Sequence, residues 1–390
     1  MTVRRPAVVG AGAMGTGIAL AFANAGFPVR LIEKAPSARE RAAARLARAG
    51  VSVPLEDDMR AASTADLVVE AVFEDLALKR SIFAELSALC GTETILASNT
   101  SSLDVDAIGA QASRPERILG MHFSNPAHVN KMLEIVRGAR TSAATIRTAV
   151  EIGRRLGKVP VVVGNCDGFV ASRTLFAYFR EAEMMAIEGA NVADVDHALV
   201  AFGMPMGPFA MVDLAGIDVA WSVREMRRRG AGYPYRLGGL VDALYAAGRY
   251  GQKSGAGFYR YESGRHEPLS DDAVAALAAA ERTRCGVALR AHTDEEIVRR
   301  TILAAANEGA EILRERIAER ASDIDTLWVY GFGFPARRGG PMAYADGLGL
   351  EEVLRFVRER ARDDPAFWRP SPLLEELVAA KRTFAACASS

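Results

Sequence analysis

Short apolar runs separated by helical stretches fill the chain up to about Gly164, and long helical periodicity replaces them afterwards. Ala7-Val8-Val9 reads as a buried strand, Gly10 to Gly15 as a turn into a helix reaching about Ala25, and Val29–Glu33 as the next strand. Further strand signals fall at Leu67–Val72, Thr94–Ala97, Ile118–Met121, Met132–Val136 and Val159–Val163, with helical segments between them. That alternation predicts a mostly parallel sheet with helices on both faces. From Asp167 onward strand signals are few. The expected fold class is an α/β Rossmann-type N-terminal domain followed by an all-α C-terminal region with an internal duplication.

The duplication is visible as two series. Asp194-Val-Asp196, Phe202-Gly-Met-Pro205, Gly207-Pro208, Asp213 and Gly216 form the first. Asp323-Ile-Asp325, Phe332-Gly-Phe-Pro335, Gly340-Pro341, Asp346 and Gly349 form the second, at a nearly constant offset. Between them, Arg260–Arg290 reads as a connecting segment with one helix. The expected division is 1–164, 165–290 and 291–390. Two units in tandem predict a monomer, a dimer being the other option, because one repeat then covers what a partner chain would otherwise cover.

Composition narrows the classes. Of 390 residues half are hydrophobic and a quarter charged, with 48 Lys+Arg against 48 Asp+Glu, so neither a nucleic-acid footprint nor a membrane-surface patch is expected. Cys90, Cys166, Cys285 and Cys387 form no Cys-x-x-Cys pair and read as reduced thiols rather than a zinc site or disulfide frame; no metal is expected. The chain enters a strand at once, leaving no room for a signal peptide, and its apolar runs are too short to span a bilayer. Its last residues are not a peroxisomal address. A cytoplasmic location follows as the expectation.

Two motifs carry chemistry. Gly10-Ala-Gly12-Ala13-Met14-Gly15 sits between strand and helix, where Gly-x-Gly-x-x-Gly lets backbone approach a pyrophosphate at a helix N-terminus. Glu33 closes the second strand, where an acid binds the ribose hydroxyls of NAD and repels the 2′-phosphate of NADP, although Lys34 stands beside it. In residues 120–138, read as strand, turn, strand, His122 and Glu134 come side by side. A carboxylate that fixes a histidine tautomer makes a tuned proton acceptor. Base and hydride acceptor together point to alcohol oxidation or its reverse. The bland alternative for His122 is a satisfied core histidine. His128, His197, His266 and His292 show no comparable partner and read as surface or structural. Arg227-Arg-Arg229 reads as a solvated helix face, with a docking patch as the sharper view, and Lys253 as a loop cap.

With these motifs the chain resembles the L-3-hydroxyacyl-CoA dehydrogenase family, above all the dehydrogenase portion of multifunctional fatty-acid β-oxidation enzymes. The matching stretches include Gly10–Ala19, Val68–Lys79, Ser98–Ser102, the His122–Glu134 block, Gly164–Val170, Met206–Phe209, Asp213–Gly216 and Gly251–Tyr259. No hydratase region is among them, so no hydratase activity is expected. The resemblance implies His122 as general base toward the 3-hydroxyl, Glu134 as its orienter, Asn125 holding the histidine or the substrate carbonyl, and Ser101 on the reacting oxygen. It implies Glu74, Lys79 and Asn99 on the cofactor, NAD as that cofactor, and an acyl thioester as substrate.

Two departures stand out. Ser172 occupies a position where relatives commonly carry asparagine, putting a contact to the nicotinamide or substrate in doubt. The stretch between Glu33 and Leu67 is short where relatives extend a helical hairpin toward coenzyme A; here one helix, about Ser37–Ala49, leads through Val51–Pro54 to the next strand. Carrier-protein-bound acyl groups, as in bacterial secondary metabolism, are therefore an alternative to coenzyme A thioesters. A dehydrogenase of small free hydroxy acids and a non-catalytic NAD-binding protein are the other readings.

Overall fold

The computed structural model describes residues 3–229, 235–262 and 267–387; His266 lies outside them. The chain divides into two compact units, one holding residues up to Arg173 together with Ile312–Gly331, the other Thr174–Glu311 with Phe332–Cys387.

The first unit is built on eight strands: β1 (Pro6–Val9), β2 (Arg30–Ile32), β3 (Leu55–Glu56), β4 (Leu67–Glu70), β5 (Ile95–Ser98), β6 (Ile118–Phe123), β7 (Met132–Arg137) and β8 (Val159–Gly164). They form one sheet in the order β3-β2-β1-β4-β5-β6-β7-β8. Every neighbouring pair is parallel except β6 and β7, which run antiparallel. Val8, Val68, Val69, Leu119 and Ile135 are fully buried. Parallel strands covered on both faces need such unbroken apolar runs. The helices of this part are α1 (Ala13–Asn24), α2 (Pro36–Arg48), α3 (Leu76–Leu89), α4 (Val105–Ile108) and α5 (Ala143–Arg155). Strand order reverses between β1 and β4, which opens a crevice at their carboxyl ends.

The expected strands recur within a residue or two of their predicted ends. Between α2 and β4 the structure adds what the sequence pattern left out: two-residue β3 and a 3₁₀ turn at Met59–Ala62. A two-residue strand has no alternation to read. It is held by backbone bonds from Leu31 N to Pro54 O and Glu33 N to Glu56 O, both 2.9 Å.

The other helices are α6 (Ala171–Glu188), α7 (Val192–Phe202), α8 (Pro208–Ala215), α9 (Ile217–Arg229), α10 (Leu240–Ala246), α11 (Asp272–Cys285), α12 (Asp294–Arg314), α13 (Ala321–Gly331), α14 (Pro341–Leu348), α15 (Leu350–Arg360) and α16 (Pro372–Ala379). The duplication holds in detail. Helices α8 and α14 each have 8 residues and start with proline behind a glycine. Asp213, late in α8, accepts the amides of Phe258 and Tyr259 at 2.8 and 2.9 Å. Asp346, late in α14, accepts those of Phe384 and Ala385 at the same two distances.

Helix α13 belongs to the first unit, packed on β7 and β8. Gly164 N donates to Ile317 O at 2.7 Å and Asn130 Nδ2 to Gly331 O at 3.0 Å. Ile324, Leu327 and Trp328 are buried along it.

One expectation about histidines is corrected in the second unit. His292 is not without partners: its Nε2 lies 3.1 Å from Glu188 and its Nδ1 3.6 Å from Glu296, with the side chain 1% exposed. Glu188 ends α6, far away in sequence, so the pairing left no local signal. His128 and His197 are exposed. Arg228 pairs with Glu225 and Asp242, Arg227 lies over the Phe176 ring, and Lys253 pairs with Asp218.

Candidate functional site

The glycine turn follows β1 at the crevice. Gly10 has φ +98°, and a Cβ there would sit 2.7 Å from Ala71 O; a Cβ on Gly15 would sit 1.8 Å from Gly10 O. Both positions therefore need glycine for the turn itself. Gly12 is different, because a Cβ there meets nothing within 4 Å. It is the N-cap of α1 and caps with no side chain, so the first amides of a 12-residue helix stay open to an anion, with Ala13 exposed and Met14 half-buried above them. Glu33 accepts from Ala11 N at 3.0 Å and Ala35 N at 2.9 Å, which ties the acid expected at the ribose to the glycine turn.

Across the crevice, the loops after β4 and β5 are joined through carboxylates. Glu74 accepts from Thr100 Oγ1 at 2.5 Å, Ser101 N at 3.0 Å and Ser101 Oγ at 3.4 Å. Lys79 lies 3.3 Å from Glu74 and 2.7 Å from Glu70. The Lys79 side chain is 0% exposed, enclosed between Glu70 and Glu74. Asn99 Oδ1 accepts from Phe123 N at 2.9 Å, holding the β5 loop to the end of β6.

The third element is the antiparallel pair. His122 stands directly opposite Glu134 in register, so both side chains leave the same face. His122 Nδ1 and Glu134 Oε2 are 2.7 Å apart. The other oxygen of Glu134 accepts from Val170 N and Ala171 N, each at 3.0 Å. Glu134 is fully buried while His122 is 12% exposed. The buried acid is thus held by three partners, and among the described residues the far nitrogen of the imidazole has no hydrogen-bond partner. Phe169 lies beside the ring, centroids 5.8 Å apart. Asn125 is exposed in the turn after β6, at a cis bond to Pro126, and is not hydrogen-bonded to His122. Ser172 is half-buried near the start of α6, its Cβ 3.5 Å from where a Cβ of Gly168 would be.

Comparison with known proteins identifies the family. The family description "3-hydroxyacyl-CoA dehydrogenase, NAD binding domain" matches residues 5–53 and 47–166, and the corresponding C-terminal domain matches 168–261 and 297–386. The chain belongs to the 3-hydroxyacyl-CoA dehydrogenase family. It is 41% identical to a peroxisomal bifunctional enzyme of Danio rerio over 97% of its length and 37% identical to the Homo sapiens protein of that name over 95%. The chain spans about half the length of these curated relatives, 56% in each case. Among solved structures it resembles 3-hydroxybutyryl-CoA dehydrogenase from Escherichia coli K12, with TM-score 0.82 and 26% identity over 97% of this chain and 99% of that one. The dehydrogenase part of a C. elegans multifunctional enzyme gives TM-score 0.71 and 27% identity over 96% and 90%.

Two family matches cover each half. The C-terminal pair coincides with the duplicated series, and the N-terminal pair overlaps at residues 47–53, between the end of α2 and β3. NAD is the family's cofactor, and the residues present fit it: an uncapped helix N-terminus, open space over Gly12, and an acid at the end of β2. Sequence reasoning missed Glu70, which pairs with Lys79, and Ser98, which donates to Glu70. Their positions at the ends of β4 and β5 were the available signal.

Proposed function

We propose that this chain interconverts 3-hydroxyacyl and 3-ketoacyl thioesters with NAD, and that His122 exchanges the proton. The observation that carries this reading is the buried Glu134 held against His122 Nδ1 at 2.7 Å. With Nδ1 engaged, Nε2 faces the substrate and accepts the 3-hydroxyl proton; in the reverse direction the imidazolium returns it to the 3-keto oxygen. Glu134 keeps its negative charge and stabilises the imidazolium. NAD, when bound, accepts the hydride that leaves C3. Ser101, positioned by Glu74, and Asn125 serve as donors toward the substrate's oxygens, and Glu33 with Gly10, Gly12, Ala13, Met14 and Gly15 holds the dinucleotide.

The acyl group is carried by coenzyme A or by a carrier protein. The short connection between α2 and β4 favours considering the carrier, and Ser172 leaves an amide contact unmade. The domain division proposed is 1–164, 165–290 and 291–390, and α13 covering the chain's own sheet supports a monomer. A cytoplasmic location remains part of the proposal; among the described residues no helix is long and apolar enough to cross a membrane.

The test is NADH consumption with acetoacetyl-CoA, wild type beside His122→Ala. We expect kcat to fall by about 10²–10⁴ while NADH affinity stays within about twofold. Equal turnover in the variant would remove the base assignment. A much higher kcat/KM for the coenzyme A thioester than for the same acyl group on a carrier would dismiss the carrier alternative. Turnover of a free hydroxy acid would instead favour that class.

A further inference from the structure

Glu70 is the last residue of β4, in register with Val9 of β1 on one side and Ser98 of β5 on the other. It therefore stands at the switch point of the sheet. The next residue, Ala71, is the one whose carbonyl forbids a side chain at Gly10. Both oxygens of Glu70 are committed. Oε1 accepts from Val72 N and Lys79 Nζ, each at 2.7 Å, and Oε2 accepts from Ser98 Oγ at 2.7 Å. Glu70 and Lys79 have no exposed side-chain surface. Lys79 also contacts Glu74, which is 28% exposed and holds the Ser101 amide and hydroxyl.

One ammonium is thus shared by two carboxylates, leaving a net charge of minus one across a buried and a partly exposed carboxylate. Among the described residues no other Lys or Arg reaches either carboxylate. Uncompensated charge of this kind is costly away from water. The crevice at a switch point is where a dinucleotide lies, and its oxidised nicotinamide ring carries a positive charge that the reduced ring lacks.

We infer that Glu70 is a positioning residue: through Lys79 it holds Glu74 against Ser101, through Ser98 it ties β4 to β5, and its charge favours the oxidised cofactor relative to the reduced one. The inference rests on the NAD reading and adds a residue and a redox preference to it. Glu70 touches neither cofactor nor substrate.

The experiment measures dissociation constants of NAD⁺, by calorimetry, and NADH, by fluorescence, without substrate. The quantity of interest is their ratio, because a general loss of site shape weakens both forms and cancels. Glu70→Gln leaves the triad neutral and is expected to raise Kd(NAD⁺)/Kd(NADH) about tenfold, the scale of one charge acting at short range in a protein interior. Glu74→Gln should shift the ratio in the same direction. The pair Glu70→Gln/Lys79→Met restores net minus one and should return the ratio to within about twofold of wild type. An unmoved ratio in Glu70→Gln, or a double variant that stays at the raised value, overturns the inference. If Glu70→Gln does not fold, Glu74→Gln decides: an unmoved ratio there overturns the inference. A wild-type chain binding neither form would sink the NAD reading itself, whereas firm binding with an unmoved ratio sinks only this inference.

Discussion

Glu134 divides its two oxygens between chemistry and framework, one on His122 and the other on two amides at the start of α6. Glutamine has the same shape but offers one acceptor instead of two. In Glu134→Gln the side chain either leaves the two amides unmet or turns its NH2 to His122 Nδ1 and forces the imidazole proton onto Nε2, where the base must be open. We expect kcat to fall by at least about 10²-fold with NADH affinity nearly unchanged, and stability to drop by about 1–3 kcal/mol as buried donors go unmet. Steady-state kinetics beside urea unfolding checks both, and a variant with wild-type kcat would refute the orienting role. The pair was legible in the sequence because a hairpin brings near neighbours face to face. The setting of Glu70 between Lys79 and Ser98 was not legible, because it depends on which strands adjoin, and chain order does not give that.

At the scale of elements, the turn from β1 into α1 separates glycines that shape the fold from one that faces a ligand. A Cβ at Gly15 collides with Gly10 O, while a Cβ at Gly12 enters open space above the helix N-terminus. Gly15→Ala should therefore lower the melting temperature clearly. Gly12→Ala should leave it within a degree or two and still weaken NADH binding by at least about tenfold. Calorimetric melting and NADH titration distinguish the two, and strong binding by Gly12→Ala would move the pyrophosphate elsewhere. This turn, the strands beside it and the duplicated helices were readable because each rests on local periodicity and glycine placement. Strand β3 was not, since its bonds come from the neighbouring strand rather than from any pattern of its own.

Across the whole molecule, the second unit contains buried ions that no amphipathic pattern announces. Arg300 donates to Glu181 at 2.9 Å and to Glu188 at 2.6 Å, and Arg224 pairs with Glu183 at 2.7 Å. Burial alone would raise the Glu188 carboxyl, but hydrogen bonds from His292 and Arg300 outweigh it and hold the group at about 2, below its ordinary 4.5. A carboxyl held lower in the folded state stabilises the fold fully above pH 4.5, and that contribution fades as pH falls toward 2. Urea unfolding followed by fluorescence should show this loss over that window. Glu188→Gln should be less stable at pH 6 by about 3–5 kcal/mol and should respond less to acid between pH 4.5 and 2. An identical acid response in the variant would assign the sensitivity to other groups. Asp196 acts oppositely: burial lifts it to about 6 despite two amides and the Tyr259 hydroxyl, so its contribution is full below pH 3.8 and is lost as pH rises through 6.

Helix α13 has a consequence in time. Asn130 and the Gly331 carbonyl that completes it lie 201 positions apart. At a translation rate of about 5–20 residues per second, the β7–β8 side of the sheet leaves the ribosome roughly 10–40 s before the helix that covers it. During that interval the nascent chain carries an uncovered apolar face, and a chaperone's most useful moment comes while the second half is still being made.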